Sequence, residues 1–168
     1  MSKSYRVTRD NFHYQWSKSH KPVIHINPGD KVTLDVNEVI SGQITRNSVA
    51  EDILKLDTSK FYMLTGPIFI EGARSGDALV IDILNVKVAD WGWSAVLPGY
   101  GLLEEFKEPY LWIWKLGKRY AFFKNGIKIP MRPFCGTMGV APPEDGAFDV
   151  MPPGRHGGNM DTKHLVAG

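Results

Sequence analysis

Pro22-Val23-Ile24-His25-Ile26-Asn27-Pro28-Gly29-Asp30-Lys31-Val32-Thr33-Leu34-Asp35-Val36 decides the fold class. In its second half Val32, Leu34 and Val36 alternate with Thr33 and Asp35, a period of two that belongs to a strand with one buried face. Its first half, Val23 to Ile26, is a short apolar run, and Asn27-Pro28-Gly29-Asp30 between the two is strong turn chemistry. The stretch therefore reads as a β-hairpin. The same pattern returns at Pro67-Ile68-Phe69-Ile70, followed by Glu71-Gly72-Ala73-Arg74-Ser75-Gly76-Asp77 and then Leu79-Val80-Ile81-Asp82-Ile83. Superposing Gly29-Asp30 on Gly76-Asp77 also places Asp35 on Asp82, an offset of 47 residues in both cases. Two copies are too few for a solenoid. They fit a sandwich or jelly roll in which similar hairpins pair across sheets.

Outward from the hairpins, the other segments agree. Ser48-Val49-Ala50-Glu51 has the form of a capping box, opening one short helix to about Leu56 with Ile53, Leu54 and Leu56 on its buried side. Tyr110-Leu111-Trp112-Ile113-Trp114 reads as a strand buried on both faces. Lys124-Asn125-Gly126 between apolar runs is the strongest hairpin signal in the chain. Near the start, Phe12-His13-Tyr14-Gln15-Trp16 reads as a polar-aromatic segment lying across another element, with His13 as a candidate ligand. The expectation is mainly β: a β-sandwich or jelly-roll-like single domain over residues 1–168 with one short helix.

Composition narrows the function classes. The chain has 168 residues, 43% hydrophobic and 23% charged, which suits one domain with a substantial core. Its 20 basic and 18 acidic residues are interspersed and leave a net charge of +2, so no basic stripe recruits nucleic acid. Cys135 stands alone, which rules out an internal disulfide, and no charged-then-apolar leader precedes Tyr5, so a cytoplasmic setting is expected. No apolar run approaches the roughly 18 residues that cross a bilayer, so a soluble protein with no membrane partner is expected.

The chemistry concentrates in Met151 to Gly168, MPPGRHGGNMDTKHLVAG. Behind Pro152-Pro153-Gly154 and across Gly157-Gly158 it sets His156, Asn159 and Asp161. Paired glycines permit positive φ and close backbone approach, which is how polar side chains are held in a site, although a surface turn has the same composition. Imidazole and oxygen donors suit a divalent cation without demanding one. The closing Leu165-Val166-Ala167-Gly168 reads as a strand beginning. A second concentration, Trp91-Gly92-Trp93 to Gly101, is either core or the wall of a small-molecule pocket. Cys135 reads as a small buried hydrophobe, since no local histidine or helix start would activate it. A blue-copper site fails for the same reason, because Cys135 has no histidine within twenty residues on either side. Asp35 and Asp82 are read as solvated.

Taken in order, several blocks resemble the amino-terminal half of the acetamidase/formamidase family. They are Glu71-Gly72-Ala73 with Gly76-Asp77, Asp90-Trp91-Gly92-Trp93, Pro98 to Leu103, Arg132-Pro133-Phe134, Gly139-Val140-Ala141-Pro142 and Pro152 to Asp161. The resemblance runs from about His13 to Gly168 and implies a jelly-roll-like fold. It also implies hydrolysis of short aliphatic amides to carboxylate and ammonia, and association with a divalent metal, zinc or calcium. It places Asp161 and His156 as catalytic groups, Asn159 and Asp161 as metal ligands, and Gln43 and Glu71, with Trp91 and Trp93, on the substrate. Members of that family are longer, with a Gly-Asp-x-His block and an acidic Gln-Gly-Asp-Gly-Glu run absent here. The expectation is thus either a metal-assisted amidase, as a homo-oligomer or with a partner chain supplying the second half, or a non-catalytic β-sandwich subunit or remnant.

Overall fold

The computed structural model describes residues 1–168. Its strands are β1 (Ser4–Val7), β2 (Phe12–His13), β3 (Ile24–Ile26), β4 (Lys31–Leu34), β5 (Leu64–Thr65), β6 (Ile68–Ile70), β7 (Trp91–Val96), β8 (Tyr110–Leu116), β9 (Tyr120–Phe122), β10 (Lys128–Pro130), β11 (Thr137–Gly139) and β12 (Gly157–Asn159). Helical residues occur only as short 3-10 turns, so the mainly β class holds. No helix is long and apolar enough to cross a membrane. The chain forms two compact units. Residues 1–42, 59–82 and 135–162 make the first, and residues 43–58, 83–134 and 163–168 the second.

In the first unit the Asn27–Asp30 turn forms as the residues require. Asp30 donates its N–H to the Asn27 carbonyl at 3.0 Å, its carboxylate accepts the Asn27 N–H at 2.9 Å, and Gly29 supplies φ +86°. The expected hairpin does not form. β3 pairs in parallel with β6, and β4 pairs in parallel with β1, so the turn is a corner between two sheets. The cause lies in the amino-terminal strand. Asp30 also accepts the Lys3 N–H at 2.7 Å, and Lys31 donates to the Lys3 carbonyl at 2.9 Å. The outgoing arm is thereby fastened to β1 and not to β3.

The repeat itself is real. Asp77 donates to the Arg74 carbonyl at 3.1 Å and accepts the Arg74 N–H at 2.8 Å, with Gly76 at φ +98°. The first arms of the two copies lie side by side, Ile24 opposite Ile68 and Ile26 opposite Ile70. The second arm of the second copy, Leu79 to Ile83, is a correction: it has no ladder partner and forms no strand. Asp35 is more than a solvated aspartate, since the Arg6 guanidinium grips it through Nε at 2.8 Å and Nη2 at 3.0 Å. That fork raises the Arg6 pKa and lowers the Asp35 pKa, through the hydrogen bond first and the charge second. Val7, Trp16, Ile40 and Val150 are the buried apolar side chains of this unit.

The second unit is built on the antiparallel sheet β10-β9-β8-β7. The Asn125-Gly126 hairpin forms as expected, joining β9 to β10 with φ +58° at Asn125 and +76° at Gly126. Both values suit the tight turns that match strand twist. On one face Trp112 and Trp114 meet Phe123 with ring centroids 4.6 and 5.2 Å apart. β8 is half-buried, not buried on both faces as the aromatic run implied. The predicted helix is a 3-10 segment, Ala50–Lys55. Its start is reciprocated by Asp52, which accepts the Val49 N–H at 3.0 Å, and not by Glu51. Ser48 caps the preceding turn instead, taking the Thr45 N–H at 3.0 Å. With Ile53 alone buried and Leu54 exposed, the segment lacks the apolar stripe of a full α-helix. Leu165 to Gly168 is not a strand; Gly168 donates one bond, to the Ile83 carbonyl at 3.3 Å.

Candidate functional site

The terminal residues form a ribbon. β11 and β12 pair antiparallel, Thr137 opposite Asn159, Met138 opposite Gly158 and Gly139 opposite Gly157. Gly154 and Gly157 exchange backbone bonds of 2.9 Å each way, a tight turn that puts His156 beside the ribbon. Glycine is required here by contact. A Cβ on Gly139 would lie 2.7 Å from the His156 carbonyl oxygen, and one on Gly157, which sits at φ +93°, 2.6 Å from the Met138 oxygen.

Two rings pack against the ribbon, Trp16 beside Gly139 and both Trp16 and His156 beside Gly158. Trp16 exchanges backbone bonds of 2.9 Å with Phe148 and is 7% exposed. Its ring meets His156 edge to face at 5.2 Å. The imidazole lies between two glycines: a Cβ on Gly154 would lie 2.8 Å from Nδ1, and one on Gly158 would lie 3.2 Å from Nε2 and 3.7 Å from the Trp16 Nε1. Both Nε2 of His156 and Nε1 of Trp16 are buried without a hydrogen-bond partner. Trp16 escaped the sequence reading. A signal was present in the glycines at 139 and 158, whose missing side chains admit a large ring.

Asn159 is fastened at both ends of its amide. Its Oδ1 accepts the Thr137 hydroxyl at 3.0 Å and its Nδ2 donates to the Met151 carbonyl at 3.2 Å. Asp161 sits in the left-handed region at φ +47° and donates its N–H to the Gly136 carbonyl at 2.9 Å. Its side chain is exposed, with Oδ1 2.9 Å from where a Cβ on Gly136 would stand. The ribbon thus brings His156, Asn159 and Asp161 onto one short element. These residues do not fit a cation site by themselves: the Asn159 amide is already engaged, and no three His, Cys, Asp or Glu side chains converge.

The other predicted residues stand elsewhere. Glu71 accepts from Nδ1 of His25 at 2.8 Å on the surface of the first unit. Gln43, in the second unit, clamps the Asp57 backbone, accepting its N–H at 2.7 Å and donating to its carbonyl at 3.1 Å. Trp91 and Trp93 share one face of β7, opposite Lys115 and Ile113. The Arg46 guanidinium lies 5.4 Å over the Trp91 ring and pairs with Asp90. Arg46, Asp90 and Trp91, with Ile113, Trp114, Lys115 and Leu116, line a cleft of about 330 Å³ that Trp93 does not enter. His13 stacks on His20 at 4.4 Å, and both rings point a nitrogen at the Gln15 carbonyl, at 2.7 and 3.0 Å. Burial lowers the His13 pKa, and His20 adds to that against the opposing pull of the Gln15 carbonyl.

Comparison with known proteins gives one consistent result. Residues 1–148 match the model of the acetamidase/formamidase family. A formamidase of Methylophilus methylotrophus is 29% identical over 133 residues, covering 75% of this chain and 32% of the relative. An acetamidase of Mycolicibacterium smegmatis is 28% identical over 160 residues, covering 86% of this chain and 39% of the relative. The crystal structure of an acetamidase from Bacillus halodurans superposes with a TM-score of 0.90 at 32% identity, over 97% of this chain and 55% of that one. The chain therefore spans about a third of the length of the curated relatives it matches.

Proposed function

Since the chain belongs to the acetamidase/formamidase family, we propose that it takes part in hydrolysing short aliphatic amides, formamide and acetamide, to carboxylate and ammonia. The observation that carries this reading is the family match over residues 1–148. An amide resists attack and has a poor leaving group, so the reaction needs an activated water, a donor to the carbonyl oxygen and a proton for the amine. Water oxygen bonds to the carbonyl carbon, the C–N bond breaks, and the nitrogen leaves as ammonia with the proton taken from water. Asp161 is the proposed base, its carboxylate exposed and placed where only the missing side chain of Gly136 leaves it room. His156 is the proposed second catalytic group. Trp91 and Trp93, on the sheet of the second unit, carry the substrate-binding assignment, checked by the KM for acetamide in Trp91→Ala.

Zinc or calcium remains part of the proposal only with further donors added to Asn159 and Asp161, and no step above is routed through a metal. Ammonia release from formamide and acetamide, with zinc or calcium supplied, is the test. Loss in Asp161→Ala is the expected result, and an unchanged rate overturns the assignment. A second reading, a subunit that works only with a partner polypeptide or a second copy, is favoured by exposed apolar side chains. Val80 is 81%, Leu84 68% and Leu102 98% exposed, and a partner of complementary surface would cover them. Sedimentation equilibrium decides: a monomer at micromolar concentration speaks against the second-copy form of this reading.

A further inference from the structure

We infer that His156 acts as a hydrogen-bond donor through Nδ1–H, its tautomer set by the indole of Trp16, and that Trp16 is therefore a positioning residue of the proposed site. Trp16 Nε1 and His156 Nε2 face the same point beside Gly158, at 3.7 and 3.2 Å from where its Cβ would stand. Each is buried, and neither has any other partner. An indole nitrogen can only donate, so the nitrogen that satisfies it must carry a lone pair. Leaving both orphaned costs each its desolvation without return. The two rings meet edge to face with centroids 5.2 Å apart, so each orphaned nitrogen has the other as its neighbouring complement. Nε2 is then the acceptor, and the ring proton of neutral His156 resides on Nδ1.

Of the two imidazole nitrogens only Nε2 is both buried and unpartnered. Nδ1 lies on the other edge, against exposed Gly154. A donor presented there takes a carbonyl oxygen or the oxyanion that develops from it. This last step rests on the amide-hydrolysis reading; the tautomer does not. The same geometry removes Nε2 as a cation ligand, because an N–H aimed at that nitrogen repels a cation.

The test uses the whole chain, labelled with 15N-histidine, and long-range proton–nitrogen correlation at pH 8 without substrate. The expected result is one His156 tautomer with its proton on Nδ1. Trp16→Phe keeps an aromatic ring beside the ribbon but removes the donor, and should move the ratio toward the Nε2–H form by about fivefold, the equivalent of one ordinary hydrogen bond. A proton on Nε2 in the unsubstituted protein, or an unchanged ratio in Trp16→Phe with the amide fingerprint intact, overturns the inference. Should Trp16→Phe fail to fold, exchange of the Trp16 indole proton in His156→Phe decides: faster exchange supports the couple and an unchanged rate refutes it. Because no substrate is present, failure here leaves the amidase reading standing, and a negative ammonia assay leaves the tautomer standing.

Discussion

Replacing Gly157 with alanine should cost far more stability than the same change at Gly29, although both glycines have nearly the same φ, +93° and +86°. A left-handed conformation costs an L-residue roughly 1–2 kcal/mol. Reduced freedom of the unfolded chain returns about 0.4–1 kcal/mol at each site. At Gly29 nothing lies within 4 Å of the new methyl, so the balance is about 1 kcal/mol. At Gly157 the methyl would stand 2.6 Å from the Met138 oxygen and 3.1 Å from Gly139 Cα, both backbone atoms that cannot rotate away. The ribbon must open, releasing bonds such as Val140 N–H to the His156 carbonyl and Gly157 N–H to Gly154, each 2.9 Å. Two such bonds are worth roughly 1–3 kcal/mol together. Urea denaturation of the two variants reads the gap directly, as a lower midpoint for Gly157→Ala at an unchanged slope. Equal losses would refute the claim that backbone contact at β12, and not φ alone, demands glycine there.

Asn159→Ala should lose roughly 1–3 kcal/mol, because both bonds of its amide anchor the ribbon and the Met151 segment; chemical denaturation measures it. Gln43→Ala should cost a similar amount by freeing the Asp57 N–H and carbonyl together. Because the fork from Arg6 depresses the Asp35 pKa, its contribution is present above the unfolded value of about 3.9 and is lost as pH falls through the lower folded value. The melting temperatures of wild type and Asp35→Asn should therefore converge in acid and separate above about pH 4. His13 has a depressed pKa, so its contribution is full above about 6.5 and declines as pH falls through the folded value; an NMR titration of His13 in His20→Ala should show a rise.

Local chemistry was legible in the sequence and pairing was not. Asn27-Pro28-Gly29-Asp30 and Asn125-Gly126 form their turns because the demand for φ > 0 and for a short side-chain acceptor is met within four residues. Whether a turn closes a hairpin depends on which edge captures the outgoing strand, and the edge that captures Lys31–Leu34 is β1, far back in the chain. Alternation is silent on the neighbour, and here it also misnamed the buried face, since Leu34 is 43% and Val36 64% exposed. The ribbon carrying His156, Asn159 and Asp161 was visible as glycines around polar residues. Trp16 was not, because its role arises only when a segment more than a hundred residues away folds against it. Glu51 was preferred to Asp52 as the capping partner because Ser48 reads as the cap, whereas its hydroxyl is spent on the Thr45 turn and the segment starts one residue later, from Val49.

The same-direction pairing of β3 with β6 makes everything from Asn27 to Pro67 an excursion whose two ends are pinned to one ladder. Closure entropy grows only logarithmically, so doubling such an excursion costs roughly 0.6 kcal/mol. Insertions and deletions in its loops, outside β4, β5 and the Gln43–Asp57 clamp, leave the side-by-side register of Ile24 and Ile68 untouched, and these loops are where length drift among descendants of the architecture can accumulate.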